Sequence, residues 1–332
     1  MLFLTCWIDL SQLGKAVSKE ITFSGRRVNV CGAPQPWDTF TQGERIEGVI
    51  PGRGPVSITS RIHGISPGTW NVTARLADSG DASVVPGRTS GPAAMVFNDA
   101  LGARLGAARF SHGGVPGVIP FAWITFVVLG VIIGLALQTV LLRREHIEVA
   151  HALLVSLSTI VAGSVCAKIW FVLKYRRPWS SFATSGMCVQ GSIVGGTIFS
   201  WAGLMVSHIG VGAFYDATAP GLFLGLAIGR IGCFFAGCCA GRPTASRWGV
   251  WASDGRLGTR RVPTQLLESI TCLVIGLATL VLQNKIAIPG MLFVSGWASY
   301  TLCRQVFLLP LRAVCCEPSS LPQPGQGPAR LT

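Results

Sequence analysis

The sequence predicts a mainly α-helical polytopic membrane protein, with about six transmembrane helices and a small N-terminal all-β, sandwich-like module. Three observations carry this reading. Half of the 332 residues are hydrophobic and only 12% are charged, with a mean hydropathy of +0.53. A soluble domain ordinarily carries roughly 25% charged residues. From about residue 119 onward, apolar runs of bilayer length follow one another. Ahead of them, several segments within residues 20–110 alternate apolar and polar side chains with period two between Gly/Pro clusters, the pattern of short strands.

Taken in order, Met1-Leu-Phe-Leu-Thr-Cys-Trp-Ile8 is too short for a signal-peptide core, and its first basic residue, Lys15, comes after it. Residues 1–19 therefore read as a weak apolar lead. Glu20–Phe23, Arg27–Val30, Gly54–Ile62 and Thr69–Leu76 are the strands of the β-module over 20–110, with Trp70 in its core. Residues 79–116, rich in Gly, Ser, Pro and Ala, read as a loose connector. The transmembrane domain occupies 111–312, and the Pro/Gly/Gln-rich residues 313–332 form a disordered tail.

The apolar spans are about 119–142, 149–173, 187–207, 213–237, 265–283 and 288–309. Three of them hold cations: Lys168, Arg230 and Arg304. An arginine at such depth costs about 2.5–3.5 kcal/mol on insertion scales and normally faces a partner or polar cavity. Gly225, Gly229 and Gly232 thin the helix face around Arg230, so that backbone or ligand can approach it. Lys168 can equally snorkel to the interface. The long connection from Arg242 to Pro263 interleaves Arg242, Arg247, Arg256, Arg260 and Arg261 with Trp248 and Trp251, which suits a cap at head-group level.

Charge is uneven. Residues 1–116 are net +3 and residues 117–332 net +10, a balance suited to lipid phosphates and anionic bilayer surfaces. Nucleic acid is a poor partner for such a chain, because the basic residues do not cluster on a soluble module. Loop charges alone would put the N-terminus in the cytoplasm, whereas an extracellular β-module requires the opposite. Among eleven cysteines, no CxxC or Cys/His pair has zinc spacing, which argues against a structural metal site; no cofactor is implied. A disulfide between Cys188 and one of Cys233, Cys238 or Cys239 is compatible with an oxidising compartment.

Five blocks, in order, resemble the bacterial prolipoprotein diacylglyceryl transferases over roughly residues 119–312. The family signature Gly-Arg-x-Gly-Asn-Phe-x-Asn-Gly-Glu-x-x-Gly-Arg aligns without gaps on Gly229, Arg230, Gly232, Phe234, Gly237, Gly241 and Arg242. Asp216-Ala-Thr-Ala-Pro220 is similar to the family's Asp-x-x-Ala-Pro stretch. Arg261-Val-Pro-Thr-Gln265-Leu-Leu-Glu268 resembles its Arg-His-Pro-Ser-Gln-Leu-Tyr-Glu. Tyr300 and Arg304 match a Tyr and Arg four apart on the sixth helix, and Lys168 stands for an Arg in a second-helix block.

The resemblance implies a multi-pass enzyme of the bacterial plasma membrane that moves diacylglyceryl from phosphatidylglycerol to the thiol of a lipobox cysteine in a preprolipoprotein. It implies catalytic roles for Arg230, Arg304, Tyr300 and the position of Gln190, and lipid-phosphate binding by Arg230, Arg242, Arg261, Arg304 and Lys168. Asp216, Gly229, Gly232, Gln265 and Glu268 would support them. Guanidinium suits such a phosphate-ester leaving group better than ammonium does. The departures are Gln190 for the family's His, Cys233 and Ala236 for two Asn, Cys238 for Glu and Leu267 for Tyr. Leu308 lies near the place of an acid, and no seventh span follows Arg312. Gln190 cannot take a proton at neutral pH. A transferase with another acceptor, and a non-catalytic lipid-binding protein, stay open.

Overall fold

The computed structural model describes residues 2–8, 17–27, 35–49, 56–62, 70–76, 85–89, 95–97, 109–111, 115–283 and 285–311. The tail over 313–332, including Cys315 and Cys316, and the strand expected over 28–30 lie outside them. The protein is mostly helical, with strands concentrated at the N-terminus. The chain divides into two compact units, Met1–Trp123 with Ile231–Leu267 and Phe307–Thr332, and Ile124–Arg230 with Glu268–Val306.

Six helices are α1 (Ala122–Arg144), α2 (Val149–Lys174), α3 (Val189–Val206), α4 (Val211–Ala236), α5 (Thr264–Leu282) and α6 (Met291–Cys303). The first five are each long and apolar enough to cross a membrane, and the protein is a multi-pass membrane protein. The sixth expected span is divided: α6 has 13 residues, followed by a π-helical turn at Arg304–Leu308 and a 3-10 turn at Leu309–Leu311. Such a turn re-aims the backbone where a straight helix would carry on.

Within the helical unit, α4 is the hub. Gly130 and Gly134 on α1 face Gly225 and Gly221 on α4. A Cβ on Gly130 would stand 2.6 Å from the Gly225 carbonyl oxygen, and one on Gly225 would stand 2.8 Å from that of Gly130. Two glycines four apart on each helix let the backbones touch. Gly225 therefore serves helix packing, whereas Gly229 has nothing nearer than Val127 at 3.9 Å. Substituting Gly221→Val forces these helices apart, and overpacking of this kind costs about 1–3 kcal/mol. A lower thermal unfolding midpoint in detergent is expected, and an unchanged midpoint would disprove the contact.

Polar side chains join the other helices to the hub. Gln138 on α1 donates to Ser156 on α2 at 2.9 Å and to Thr218 on α4 at 2.7 Å. Ser200 on α3 meets the Tyr215 hydroxyl at 2.5 Å. Ser269 on α5 donates to the Ala227 carbonyl at 2.7 Å. Asp216 caps α6, accepting from the Gly290 and Phe293 amides at 2.6 and 2.9 Å. The N-cap itself is Gly290, held at φ 88° and offering no side chain, so the carboxylate supplies the missing acceptor and a charge that suits a helix N-terminus. Replacing Asp216 with Ala should destabilise the protein by about 1–2 kcal/mol, read as a fall in melting midpoint that Asp216→Asn partly restores.

The other unit holds ten strands in two five-stranded sheets: β1 (Leu2–Ile8), β2 (Val17–Arg27), β3 (Thr39–Val49), β4 (Val56–Ile62), β5 (Trp70–Leu76), β6 (Val85–Thr89), β7 (Met95–Phe97), β8 (Arg109–Ser111), β9 (Val250–Ser253) and β10 (Leu257–Arg261). Their orders are β8-β1-β4-β10-β9 and β3-β2-β5-β6-β7, with antiparallel pairing throughout. Trp70 is buried, as its strand pattern indicates.

Three segments differ from their sequence-based expectations. The weak apolar lead contains β1, an interior strand whose Leu4, Thr5 and Cys6 are all buried; burial of consecutive residues erases the alternation that marks a strand. The connector over 79–116 contains β6, β7 and β8, because backbone pairing needs no side-chain period. The arginine-rich connection forms the β9–β10 hairpin, and β10 pairs with β4, matching Leu257 with Ile58. Trp251 stacks on Trp7 at 5.6 Å, and Arg256 pairs with Glu44 of β3. Much of the supposed head-group cap is thus committed to the β-sheets, while Trp248 stays exposed beneath the Arg247 guanidinium.

Candidate active site

Glu268, one turn into α5 and the only acid in that helix, is 1% exposed. A carboxylate so enclosed needs donors and counter-charge. Its Oε1 accepts the Tyr300 hydroxyl at 2.7 Å and pairs with Arg230 Nη2 at 2.9 Å, while Arg304 Nη1 lies 3.7 Å away. Tyr300 in turn accepts from Arg304 at 3.0 Å and from Arg230 at 3.5 Å. One phenol therefore donates to the acid and receives from both cations, using its full hydrogen-bonding capacity.

Three helices supply these groups. Arg230 comes from α4, Glu268 from α5, Tyr300 from α6 and Arg304 from the π-helical turn that continues α6. Four-residue spacing and that turn bring the Arg304 guanidinium beside the Tyr300 ring, 6.0 Å from its centre. Two guanidiniums against one carboxylate leave one surplus positive charge. The arginine side chains are 14% and 24% exposed, against 1% for the acid. The sealed end is negative and the reachable end positive, an arrangement suited to a monoanionic ligand.

The remaining sequence candidates are placed elsewhere. Lys168 donates to the carbonyls of Phe182 and Ala183 at 3.3 and 2.9 Å and lies over the Phe182 ring, which fixes the turn after α2. Gln190 is exposed in the first turn of α3 and accepts from the Cys188 thiol at 3.4 Å. Asp216 is the α6 cap. Arg242, Arg261 and Gln265 belong to the unit with the β-sheets, where Arg242 is exposed and its backbone joins Leu311 and Val262.

Arg261 is only 3% exposed and donates to Asp254 at 2.6 Å and to the carbonyls of Gly241 and Leu257 at 3.0 and 3.2 Å. Burial lowers its pKa from the ordinary arginine value, opposed by the Asp254 charge. Contrary to its assignment as a phosphate ligand, this side chain is enclosed by protein acceptors. Gln265 donates to the Cys238 carbonyl at 2.9 Å and Thr264 to that of Cys239 at 3.3 Å, so the start of α5 holds the turn after α4. Gly232 lies on α4 within the signature.

Sequence spacing argued against metal ligation, yet the sulfurs of Cys233, Cys238 and Cys239 lie within 4.8 Å of one another. The expected disulfide to Cys188 is not formed: all four are free thiols. The hydrogen bond with Cys233, then the one with Cys239 and burial, push the Cys238 thiol above its ordinary value.

The Arg230–Glu268–Tyr300–Arg304 cluster draws together residues from two of the motif blocks and from the sixth helix. The sequence model of prolipoprotein diacylglyceryl transferases matches residues 112–308. The chain belongs to the prolipoprotein diacylglyceryl transferase family. It is similar to the phosphatidylglycerol–prolipoprotein diacylglyceryl transferase of Dehalococcoides mccartyi, 32% identical over 160 residues, which are 46% of this chain and 62% of the relative. The Nostoc sp. protein of the same name is 29% identical over 211 residues, 57% of this chain and 74% of its own. A second such transferase of Clostridium perfringens is 31% identical over 137 residues, 38% of this chain and 54% of its own. The chain thus spans less than two thirds of the Dehalococcoides relative, and the match to the family leaves residues 1–111 outside it.

Proposed function

We propose that this family member moves the diacylglyceryl group of phosphatidylglycerol to the thiol of a lipobox cysteine in a preprolipoprotein, at the bacterial plasma membrane. The observation that carries the reading is the surplus positive charge of the Arg230–Arg304 pair, anchored by Glu268 and Tyr300. In the reaction a sulfur–carbon bond forms and the bond between the diacylglyceryl carbon and the phosphate oxygen breaks. Glycerol phosphate leaves, and the thiol proton balances the oxygen released. Charge grows on the phosphate as that bond breaks, and guanidiniums already aimed there stabilise it without reorganising. Tyr300, held by Glu268, keeps both guanidiniums in register.

In this reading α6 and the turns after it form the sixth span, the two sheets form a sandwich, and the chain's own cysteines take no part in the transfer. Incubating the purified protein with phosphatidylglycerol and a lipobox peptide should yield thioether-linked diacylglyceryl peptide by mass spectrometry. Absence of product from folded protein would remove the reading. A different acceptor is the second reading. It is favoured by Gln190, which is exposed at the start of α3 and offers no base for a peptide thiol. Lipidation of a non-lipobox thiol or alcohol in the same assay, with the lipobox peptide untouched, would select it.

A further inference from the structure

The end of α4 carries a feature that phosphate-ester chemistry does not use. Gly237, at φ 69°, closes the helix. The Gly237 amide donates to the Phe234 carbonyl at 3.3 Å and the Cys238 amide to the Cys233 carbonyl at 3.1 Å. This is the Schellman pairing, which brings the side chains of residues five apart into contact across the helix end. In most helices that contact is hydrophobic. Here both partners are cysteines, and Cys239, itself left-handed at φ 56°, adds a third sulfur.

We propose that Cys233, Cys238 and Cys239 form a binding site for one soft, thiophilic metal ion, of which Cu(I) is the best match. Soft thiolates select Cu(I), zinc and iron–sulfur centres over harder cations. Structural zinc takes four ligands, whereas three thiolates complete a trigonal Cu(I) shell. Among the described residues the grouping contains three sulfurs and no His or carboxylate. With metal–sulfur bonds of about 2.3 Å, sulfurs around one ion stand about 3.8–4.0 Å apart. The three sulfurs, none more than 4.8 Å from another, need shift by less than an ångström.

The surroundings fit a cation. The turn follows the C-terminus of α4, whose dipole favours positive charge. Its backbone is already fixed, because Gln265 and Thr264 occupy the Cys238 and Cys239 carbonyls. Cys233 is buried while Cys238 and Cys239 are half-buried, which shields a bound ion yet leaves an approach. This inference does not rest on the proposed transfer, and its test uses no turnover.

Reduced full-length protein in detergent should be titrated anaerobically with Cu(I) against a chromophoric Cu(I) chelator. One ion per chain is expected, with a first shell of three sulfurs by X-ray absorption. Each of Cys233→Ser, Cys238→Ser and Cys239→Ser should weaken binding at least about 100-fold, whereas Cys166→Ser should not change it. Should a variant fail to fold, alkylation mapping of the wild type decides. Cu(I) should protect these three thiols together and leave Cys166 and Cys303 reactive. Equal binding by the Ser variants, protection of other cysteines instead, or tighter retention of Zn(II) than of Cu(I) would overturn the proposal.

Discussion

Arg230→Ala should lower diacylglyceryl transfer by about 10³-fold while leaving the protein folded and in the membrane. Removing one donor aimed at developing negative charge typically costs about 10²–10³ in rate, and Arg230 is the closer of the two cations to Glu268. The fold should survive, because Arg304 and Tyr300 stay beside the buried carboxylate. Arg230→Lys should restore part of the rate at most, since an ammonium lacks the planar two-pronged contact with phosphate. The measurement is initial rate with phosphatidylglycerol and lipobox peptide, alongside membrane yield. A variant within tenfold of wild type would end the phosphate role of Arg230.

Glu268→Ala should be the more damaging change to stability, by about 3–5 kcal/mol, as expected when one partner of a buried ion pair is removed. Two guanidiniums would then share the site with no compensating charge, and the Tyr300 hydroxyl would lose its acceptor. Glu268→Gln keeps an acceptor for Tyr300 but no charge, so it should fall between wild type and Glu268→Ala. Thermal unfolding in detergent gives the order, and transfer rates should follow it. If Glu268→Ala melts with wild type, the carboxylate is not what holds the cluster together.

Much of this was legible from residues alone. The five apolar spans over α1–α5 follow from hydropathy and length, which are local properties. Arg230, Tyr300 and Arg304 stand out because cations inside apolar helices require partners. Glu268 carried the same signal, as the lone acid in α5, but read as support rather than anchor. Lys168 and Arg261 were misleading for one reason: residue type reveals a need for partners without revealing which partners are near. Carbonyls of a following turn satisfy Lys168, and Asp254 with two carbonyls satisfies Arg261.

The three-thiol cluster was half legible. Gly237 marks a helix end, and a Schellman end joins residues five apart, hence Cys233 to Cys238. The search for zinc spacing passed over it, because that spacing assumes separate ligand pairs rather than one helix terminus. By itself the sequence determined the membrane-spanning helices, the family, and the two arginines on which the proposed chemistry rests, since composition and motif spacing are written along the chain. Only the tertiary structure decided that Glu268 and Tyr300 hold those arginines, that Asp216 caps α6, and that the arginine-rich connection joins the N-terminal sheet. Each of those choices depends on groups far apart in sequence meeting in a buried setting, where an unpaired charge or backbone amide is too costly to leave.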